Sequence, residues 1–273
     1  MKEIIRELVN EKIDKLLVKI KTLEEKYERK LQLYIITDGK DLGCQRYLKS
    51  KIEKGKTLGI EVIPCLVRSL DDLRGYLLEI NSFRIPCMIE LPIEQKYYDY
   101  YMRIKPKTDV DGFLNVQDWY TNTNKVEIKP CTAQSCIDLL DYMKYDFKNK
   151  FTVVVGRGET VGKPLSVLLN NKKANFICLG STIDKEIRDY VLDKADCVIC
   201  CSGEIDSVST KELNCIKNVI VLNVGICFDE NGKLREECLP NPLNDNIKCT
   251  EKVGGIGLIT TLKLFENVVN MYS

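Results

Sequence analysis

The chain has 273 residues, of which 44% are apolar and 30% charged, enough for one large domain or two small ones around real cores. Its 41 Lys and Arg balance 40 Asp and Glu to a net charge of +1, which argues against a nucleic-acid-binding surface. Histidine is absent, which removes Ser-His-Asp triads, Cys-His dyads and every histidine-containing zinc site, and leaves proton transfer to Lys, Tyr, Asp, Glu, Cys or water.

Residues 4–28 carry Ile4, Ile5, Leu8, Ile13, Leu16, Leu17, Ile20 and Leu23 at helical spacing. Leu31 to Ile36 reads as a strand, 44–57 as a helix ending near Gly59, Ile60 to Leu66 as a strand, 69–80 as a helix and Cys87 to Leu91 as a strand. This αβ alternation implies a parallel sheet covered by helices. Residues 92–130 are less regular and hold the aromatic cluster Tyr97, Tyr98, Tyr100 and Tyr101. Thr132 is a candidate N-cap for a helix running to about Lys144, which could link two domains.

A second αβ series opens at Phe151 to Val155, a β-branched run without polar alternation, as expected of a strand buried on both faces. Helix 161–170, strand 175–179, helix 183–192 and strands 196–201 and 219–223 follow, and Leu258 to Val269 reads as a closing helix. The 13 cysteines sit mostly in apolar runs and read as small hydrophobes in a reducing compartment. Cys197 and Cys200 have CxxC spacing, but they lie inside a strand-like run without a second pair, so no metal site is expected. No apolar run reaches the roughly 18 residues needed to span a membrane, and Met1-Lys2-Glu3 begins no signal-peptide core. The expectation is a cytoplasmic protein without membrane or nucleic-acid partners.

Between the strand at 151–155 and the next helix lies Gly156-Arg157-Gly158-Glu159-Thr160-Val161-Gly162, with Pro164 near the helix start. A glycine-rich turn at a helix N-terminus lets backbone N–H groups approach a pyrophosphate. The spacing is G-x-G-x-x-x-G, so an ordinary βα turn stays open as a reading. No acidic residue follows the strand ending at Leu179 to grip an adenosine 2′-hydroxyl. Arg157 instead could reach a 2′-phosphate, or be a solvent-exposed turn residue.

The stretch Val155-Gly156-Arg157-Gly158-Glu159-Thr160-Val161-Gly162-Lys163-Pro164 is similar to the VGRSxxVGxP signature of the bifunctional methylenetetrahydrofolate dehydrogenase/cyclohydrolase family. In the family's order, Tyr47-Leu48-Lys49-Ser50-Lys51 resembles Y-V-x-x-K and Glu90-Leu91-Pro92 resembles Q-L-P. Asp109-Val110-Asp111-Gly112-Phe113 matches D-V-D-G-F, and Lys129-Pro130-Cys131-Thr132 resembles R-P-C-T. Asn223-Val224-Gly225-Ile226 resembles D-V-G-I, and Gly254-Gly255-Ile256-Gly257 with Thr260 resembles G-G-V-G-x-x-T.

The resemblance implies an α/β fold of two αβ domains with parallel-rich sheets and a cleft between them. A folate domain would occupy 1–131, completed by the helix at 258–273 and joined through the helix at 132–147 to a Rossmann-type dinucleotide-binding domain at 148–252. It implies hydride transfer from 5,10-methylenetetrahydrofolate to NADP, with NAD possible, then hydrolysis to 10-formyltetrahydrofolate, in a cytosolic homodimer. Gly156, Arg157, Gly158, Val161, Gly162, Pro164, Ser181 and Ile226 would hold the dinucleotide. Tyr47, i and i+4 with Lys51 on one helix face, would stack on the substrate's aminobenzoate ring. Lys51 would serve the cyclohydrolase step; on sequence alone it is one of several lysines on a basic helix with Lys49, Lys54 and Lys56. Asp111 would accept the pterin's N–H donors, or cap an Asx turn before Gly112, while Asp109 reads as structural. Gly254, Gly255 and Thr260 would lie against the substrate.

Some positions depart from the family. Glu90 replaces the Gln beside the catalytic lysine, and a carboxylate there would hold Lys51 as the ammonium, a poorer base. Glu90 therefore joins Lys51, Tyr47 and Asp111 as a candidate catalytic residue, with hydrolysis expected to be weaker than oxidation. Three prolines around Gly254 are lost, Gly158 replaces a Ser, and Gly180 stands where a Ser contacts the 2′-phosphate in some members. Losses at the ligand-facing motifs keep open a non-catalytic relative that binds dinucleotide or folate.

Overall fold

Strands without polar alternation need cover on both faces, and the runs Leu33 to Thr37 and Thr152 to Val155 are buried throughout. The computed structural model describes residues 1–112, 114, 128–214, 218–225, 227–228, 230, 234–238, 246–251 and 253–273. The chain divides into two units. The larger takes Met1–Val9 and Pro130–Thr260, and the smaller contains the first three strands and the chain end Thr261–Ser273.

In the smaller unit, β1 (Gln32–Thr37), β2 (Glu61–Leu66) and β3 (Cys87–Ile89) form a parallel sheet in the order β2-β1-β3. The helix α1 (Lys2–Tyr27) precedes it, and α2 (Leu42–Leu58) and α3 (Leu70–Phe83) connect the strands. Asp41 starts α2 by accepting from the Cys44 N–H at 2.8 Å, and Gly59 ends it at φ 87°, in the left-handed region that glycine enters without strain. Ser69 and Asp72 form a reciprocal capping box at the start of α3.

The irregular stretch expected after residue 92 instead holds a helix, α4 (Gln95–Ile104). Its aromatic cluster supplies the reason: Tyr97 and Tyr101, four residues apart, are 1% and 0% exposed and pack into the core with Ile36, Cys87 and Ile89. Asp109 is buried beside them. Its carboxyl accepts from the Tyr101 hydroxyl at 3.4 Å and from the N–H groups of Asp111 and Leu114 at 3.2 Å each. Burial, then the neighbouring Asp111 charge, pushes the Asp109 carboxyl up to about 7, against the pull of the backbone N–H groups.

In the larger unit, β4 (Phe151–Val155), β5 (Asn175–Leu179), β6 (Cys197–Cys200), β7 (Val219–Asn223) and β10 (Ile247–Cys249) form a parallel Rossmann-type sheet in the order β10-β7-β6-β4-β5. Val153, Val154, Val198 and Ile199 are fully buried. The short antiparallel pair β8 (Cys227–Phe228) and β9 (Leu234–Arg235) precedes β10. These three strands and the five-residue α8 (Thr210–Asn214) went unread in the sequence because each is too short to show a period.

The helix α5 (Cys131–Tyr142), expected as a link, lies in the larger unit beside α6 (Gly162–Asn171) and is tied to it by the Lys172–Asp141 ion pair at 2.6 Å. Thr132 does not cap α5: the cap position is Pro130, whose fixed φ suits a helix start, and Thr132 lies inside the first turn. The remaining helices are α7 (Lys185–Asp193) and α9 (Ile256–Tyr272). Among the described residues, no helix is long and apolar enough to cross a membrane.

Ten of the described cysteines carry free thiols. Cys200 corrects the expectation of uniformly reduced cysteines, because it is joined to Cys238 in a disulfide. Asn223 brings Cys238 to the end of β6 by accepting its N–H at 2.8 Å and donating to its carbonyl at 2.9 Å.

A carboxyl that keeps its proton to about pH 7 when folded, but releases it near pH 4 when unfolded, loses its stabilising contribution as pH rises through that window. Thermal melts should therefore show the advantage of the parent over Asp109→Asn shrinking between pH 5 and 7.5, by roughly 1.4 kcal/mol per pH unit at most. Parallel pH profiles for the two proteins would refute this assignment.

Candidate functional site

Register places four strand ends of the larger unit side by side: Val155 pairs with Leu179 and with Cys200, and Cys200 pairs with Asn223. The chain leaves β4 to form β5 on one side, then returns to form β6 on the other. Ligands of doubly wound sheets bind where the order reverses in this way, beyond the carboxyl ends of the strands. A cavity of about 240 Å³ opens there, lined by Val155, Gly156, Arg157, Leu179, Gly180, Ser181, Arg188, Ser202, Glu204 and Ser207.

The glycine turn is tightly folded. Gly156 has φ 118°, and a Cβ on it would lie 2.6 Å from the Cys201 carbonyl oxygen. A Cβ on Gly162 would lie 2.2 Å from the Gly156 carbonyl oxygen, so the first helical residue must also be glycine. Val161, the cap residue of α6, makes no side-chain cap bond, so no side chain competes with an anion there. Pro164 is buried in the first turn, where its missing N–H costs little. Gly158 is exposed and has open space around it.

Arg157 and Gly180 fit one another. A Cβ at 180 would lie 2.3 Å from one guanidinium nitrogen of Arg157 and 2.6 Å from its central carbon. Gly180 thus leaves room for the guanidinium at the cavity wall, beside Ser181. A planar cation with several N–H donors suits a phosphate monoester, and the glycine cradle suits a pyrophosphate. Those features fit an NADP-type dinucleotide.

In the smaller unit, α2 places Tyr47 and Lys51 one turn apart, with the Lys51 Nζ 6.0 Å from the Tyr47 ring centre. Lys51 Nζ donates to both carboxylate oxygens of Glu90, at 2.8 and 2.6 Å. The two side chains are only 14% and 7% exposed, so water screens the pair weakly. Glu90 extends from β3, and its N–H donates to the Ile36 carbonyl at 2.8 Å. The Leu91-Pro92 peptide after it is cis, and the Pro92 carbonyl accepts from the Cys44 thiol at 3.5 Å. Burial first, then the Glu90 charge, raises the Tyr47 hydroxyl above its ordinary value. Asp109 bridges in parallel to Cys87, so Val110 and Asp111 leave in the direction of Glu90 along β3, with Gly112 at φ 84° after them.

The predicted residues thus gather in two places: Gly156, Arg157 and Ser181 around the cavity, and Tyr47, Lys51 and Glu90 at the α2–β3 pair. Gly254 (φ 82°) and Gly255 form the turn into α9, and a Cβ on Gly255 would lie 2.0 Å from the Glu251 carbonyl oxygen. The Thr260 hydroxyl donates to the Ile256 carbonyl at 3.1 Å. Ile226 lies outside the described residues. Arg188, Ser202, Glu204 and Ser207 were missed. The logic that singled out the turn after β4 applies equally to Ser202-Gly203 after β6, but Arg188 gives no such signal within a charged helix.

Residues 130–273, more than half of the chain, match the family model for the tetrahydrofolate dehydrogenase/cyclohydrolase NAD(P)-binding domain. The chain is 29% identical over 265 residues to the bifunctional protein FolD of Orientia tsutsugamushi, covering 90% of this chain and 85% of that one. It is 27% identical over 279 residues to its counterpart in Mesoplasma florum, covering 98% and 95%. Among solved structures, the bifunctional FolD enzyme of Campylobacter jejuni superposes with a TM-score of 0.86 at 23% identity, covering 97% of this chain and 95% of that one. The Trypanosoma brucei FolD, solved with NADP cofactor and inhibitor, superposes at 0.84 with 22% identity, covering 98% and 95%. The chain belongs to the tetrahydrofolate dehydrogenase/cyclohydrolase family.

Proposed function

We propose that this protein oxidises 5,10-methylenetetrahydrofolate to the methenyl form with NADP⁺, NAD⁺ being the weaker partner, and hydrolyses the methenyl product slowly. What carries this reading is the bidentate Lys51–Glu90 pair beside Tyr47, together with the Arg157-walled cavity in the Rossmann-type unit. Family membership supports the substrate class, and it supports a cytoplasmic homodimer.

NADP⁺, when bound, supplies the hydride acceptor. The chain's own work is binding and charge placement. Gly156, Gly158, Val161, Gly162 and Pro164 would hold the pyrophosphate against the start of α6, Arg157 with Ser181 would hold the 2′-phosphate, and Ile226 would be a further dinucleotide contact. Tyr47 would stack on the aminobenzoate ring and Asp111 would accept the pterin donors, with Gly254, Gly255 and Thr260 also serving the substrate.

Lys51 has three N–H donors, and Glu90 takes two of them. One donor remains to meet substrate oxygen or nitrogen, which suits binding and stabilisation of developing negative charge. A group that accepts a proton from water needs a free nitrogen lone pair, and both contacts to Glu90 engage Lys51 as a hydrogen-bond donor. Oxidation needs no such base, so the pair restrains hydrolysis alone. The lost prolines, with Glu251, Val253 and Leu258 in their places around Gly254, favour a second reading, in which the protein binds dinucleotide or folate without turnover.

With purified protein, methenyl formation should be seen with NADP⁺ and more weakly with NAD⁺; binding without turnover would select the second reading. Glu90→Gln should raise methenyl hydrolysis at least about tenfold, about 1.4 kcal/mol off the barrier, while oxidation changes less than twofold. Fast hydrolysis by the parent, unchanged by the substitution, would refute the role of Glu90. Arg157→Ala should raise the KM for NADP⁺ by about 10- to 100-fold, as expected for a charged hydrogen-bond donor, and that for NAD⁺ far less. Equal losses with both dinucleotides would remove Arg157 from phosphate recognition.

A further inference from the structure

Two loops leave the carboxyl edge of the larger sheet next to the cavity, Cys201–Glu204 after β6 and Val224–Gly225 after β7. A buried side chain that the mechanism does not use joins them. Glu237, on the segment following β9, is 0% exposed. Its Oε1 accepts from the Ser202 hydroxyl at 3.1 Å and from the Gly203 N–H, and its Oε2 accepts from the Gly225 N–H at 3.2 Å. A Cβ on Gly225 would lie 2.1 Å from Oε1, so only glycine lets the carboxylate in. Burial raises the Glu237 carboxyl above its ordinary value, while these donors favour the charged form.

The Glu237 segment is itself fixed. The Asn223 carboxamide pairs with both backbone groups of Cys238, the Cys200–Cys238 disulfide ties it to the end of β6, and the Val208 N–H donates to the Glu237 carbonyl at 3.4 Å. The loop that Glu237 holds reaches the ligand-facing surface: Ser202 lines the cavity. That loop also packs against the glycine turn, since a Cβ on Gly156 would lie 2.7 Å from the Ser202 nitrogen.

We infer that Glu237 is a positioning residue for the dinucleotide, its carboxylate pinning the loops after β6 and β7 so that the cavity wall is preformed beside the glycine turn. This rests on the dinucleotide reading above. Without the carboxylate, the Gly203 and Gly225 N–H groups and the Ser202 hydroxyl lose their common acceptor, and the ordering of both loops must be supplied when the dinucleotide binds. A glutamine retains one acceptor oxygen but turns an NH₂ group toward a backbone N–H, so it breaks one tie with little change of volume.

The test is calorimetric titration of NADP⁺ into the full-length parent and Glu237→Gln, with steady-state kinetics for both substrates and a circular-dichroism melt of each protein. The expected result is a dinucleotide Kd at least about tenfold higher in Glu237→Gln, consistent with loss of a hydrogen bond to a charged acceptor. The dinucleotide KM should rise in parallel, with folate KM and saturating kcat within about twofold of the parent. Glu237→Asp, which keeps the charge but draws it back by one methylene, should lose affinity in the same direction and serves where the glutamine variant does not fold. A folded variant with parental dinucleotide affinity, or one that loses kcat with both KM values unchanged, overturns the inference and leaves the dinucleotide reading standing. A parent that binds neither NADP⁺ nor NAD⁺ overturns both.

Discussion

The cavity edge of the larger unit follows from one constraint: the five strands of its main sheet run parallel, so their carboxyl ends emerge along one edge. Parallel pairing requires a crossover between strands, and the crossovers here deliver loop after loop to that edge in register. Val155, Leu179, Cys200 and Asn223 end together, so the residues that follow become neighbours although they are far apart in sequence. Glycine at 156, 162 and 180 is the local answer to that crowding, since a Cβ at each would strike backbone or the Arg157 guanidinium. The cavity at this edge is thus a by-product of close packing between turns.

The smaller unit uses a short parallel sheet for a different end. Its strands set a buried carboxylate against a lysine on a capped helix, and burial makes the partnership matter. The exposed Lys185–Asp189 pair on α7 contributes little, being screened by water and free to rearrange. Lys51 and Glu90 are held at short distances by the helix and strand that carry them.

Much of this was legible in the sequence. The β-branched run at 151–155 was readable as a strand covered on both faces, whereas the glycine spacing after it and the Tyr47–Lys51 spacing drew their functional reading from the family resemblance. Helix α4 was also written there, as Tyr97 and Tyr101 four residues apart, but an aromatic cluster beside charged residues conceals the period. What stayed hidden depends on chain reversals that have no local signature. Glu237 reads as one more acid after Arg235-Glu236, and only the fold shows it buried between Ser202 and Gly225. The Cys200–Cys238 link spans 38 residues and the short strands β8 and β9, too little periodic structure to predict.

The nesting of Arg157 over Gly180 has a consequence for how such a site can change. Any side chain at 180 must displace the guanidinium, and any loss of the guanidinium leaves the space at 180 unfilled. The two positions therefore constitute a single evolutionary character rather than two, and their substitutions are non-additive. Substitutions at 157 and 180 are therefore read together, because each position sets the space open to the other.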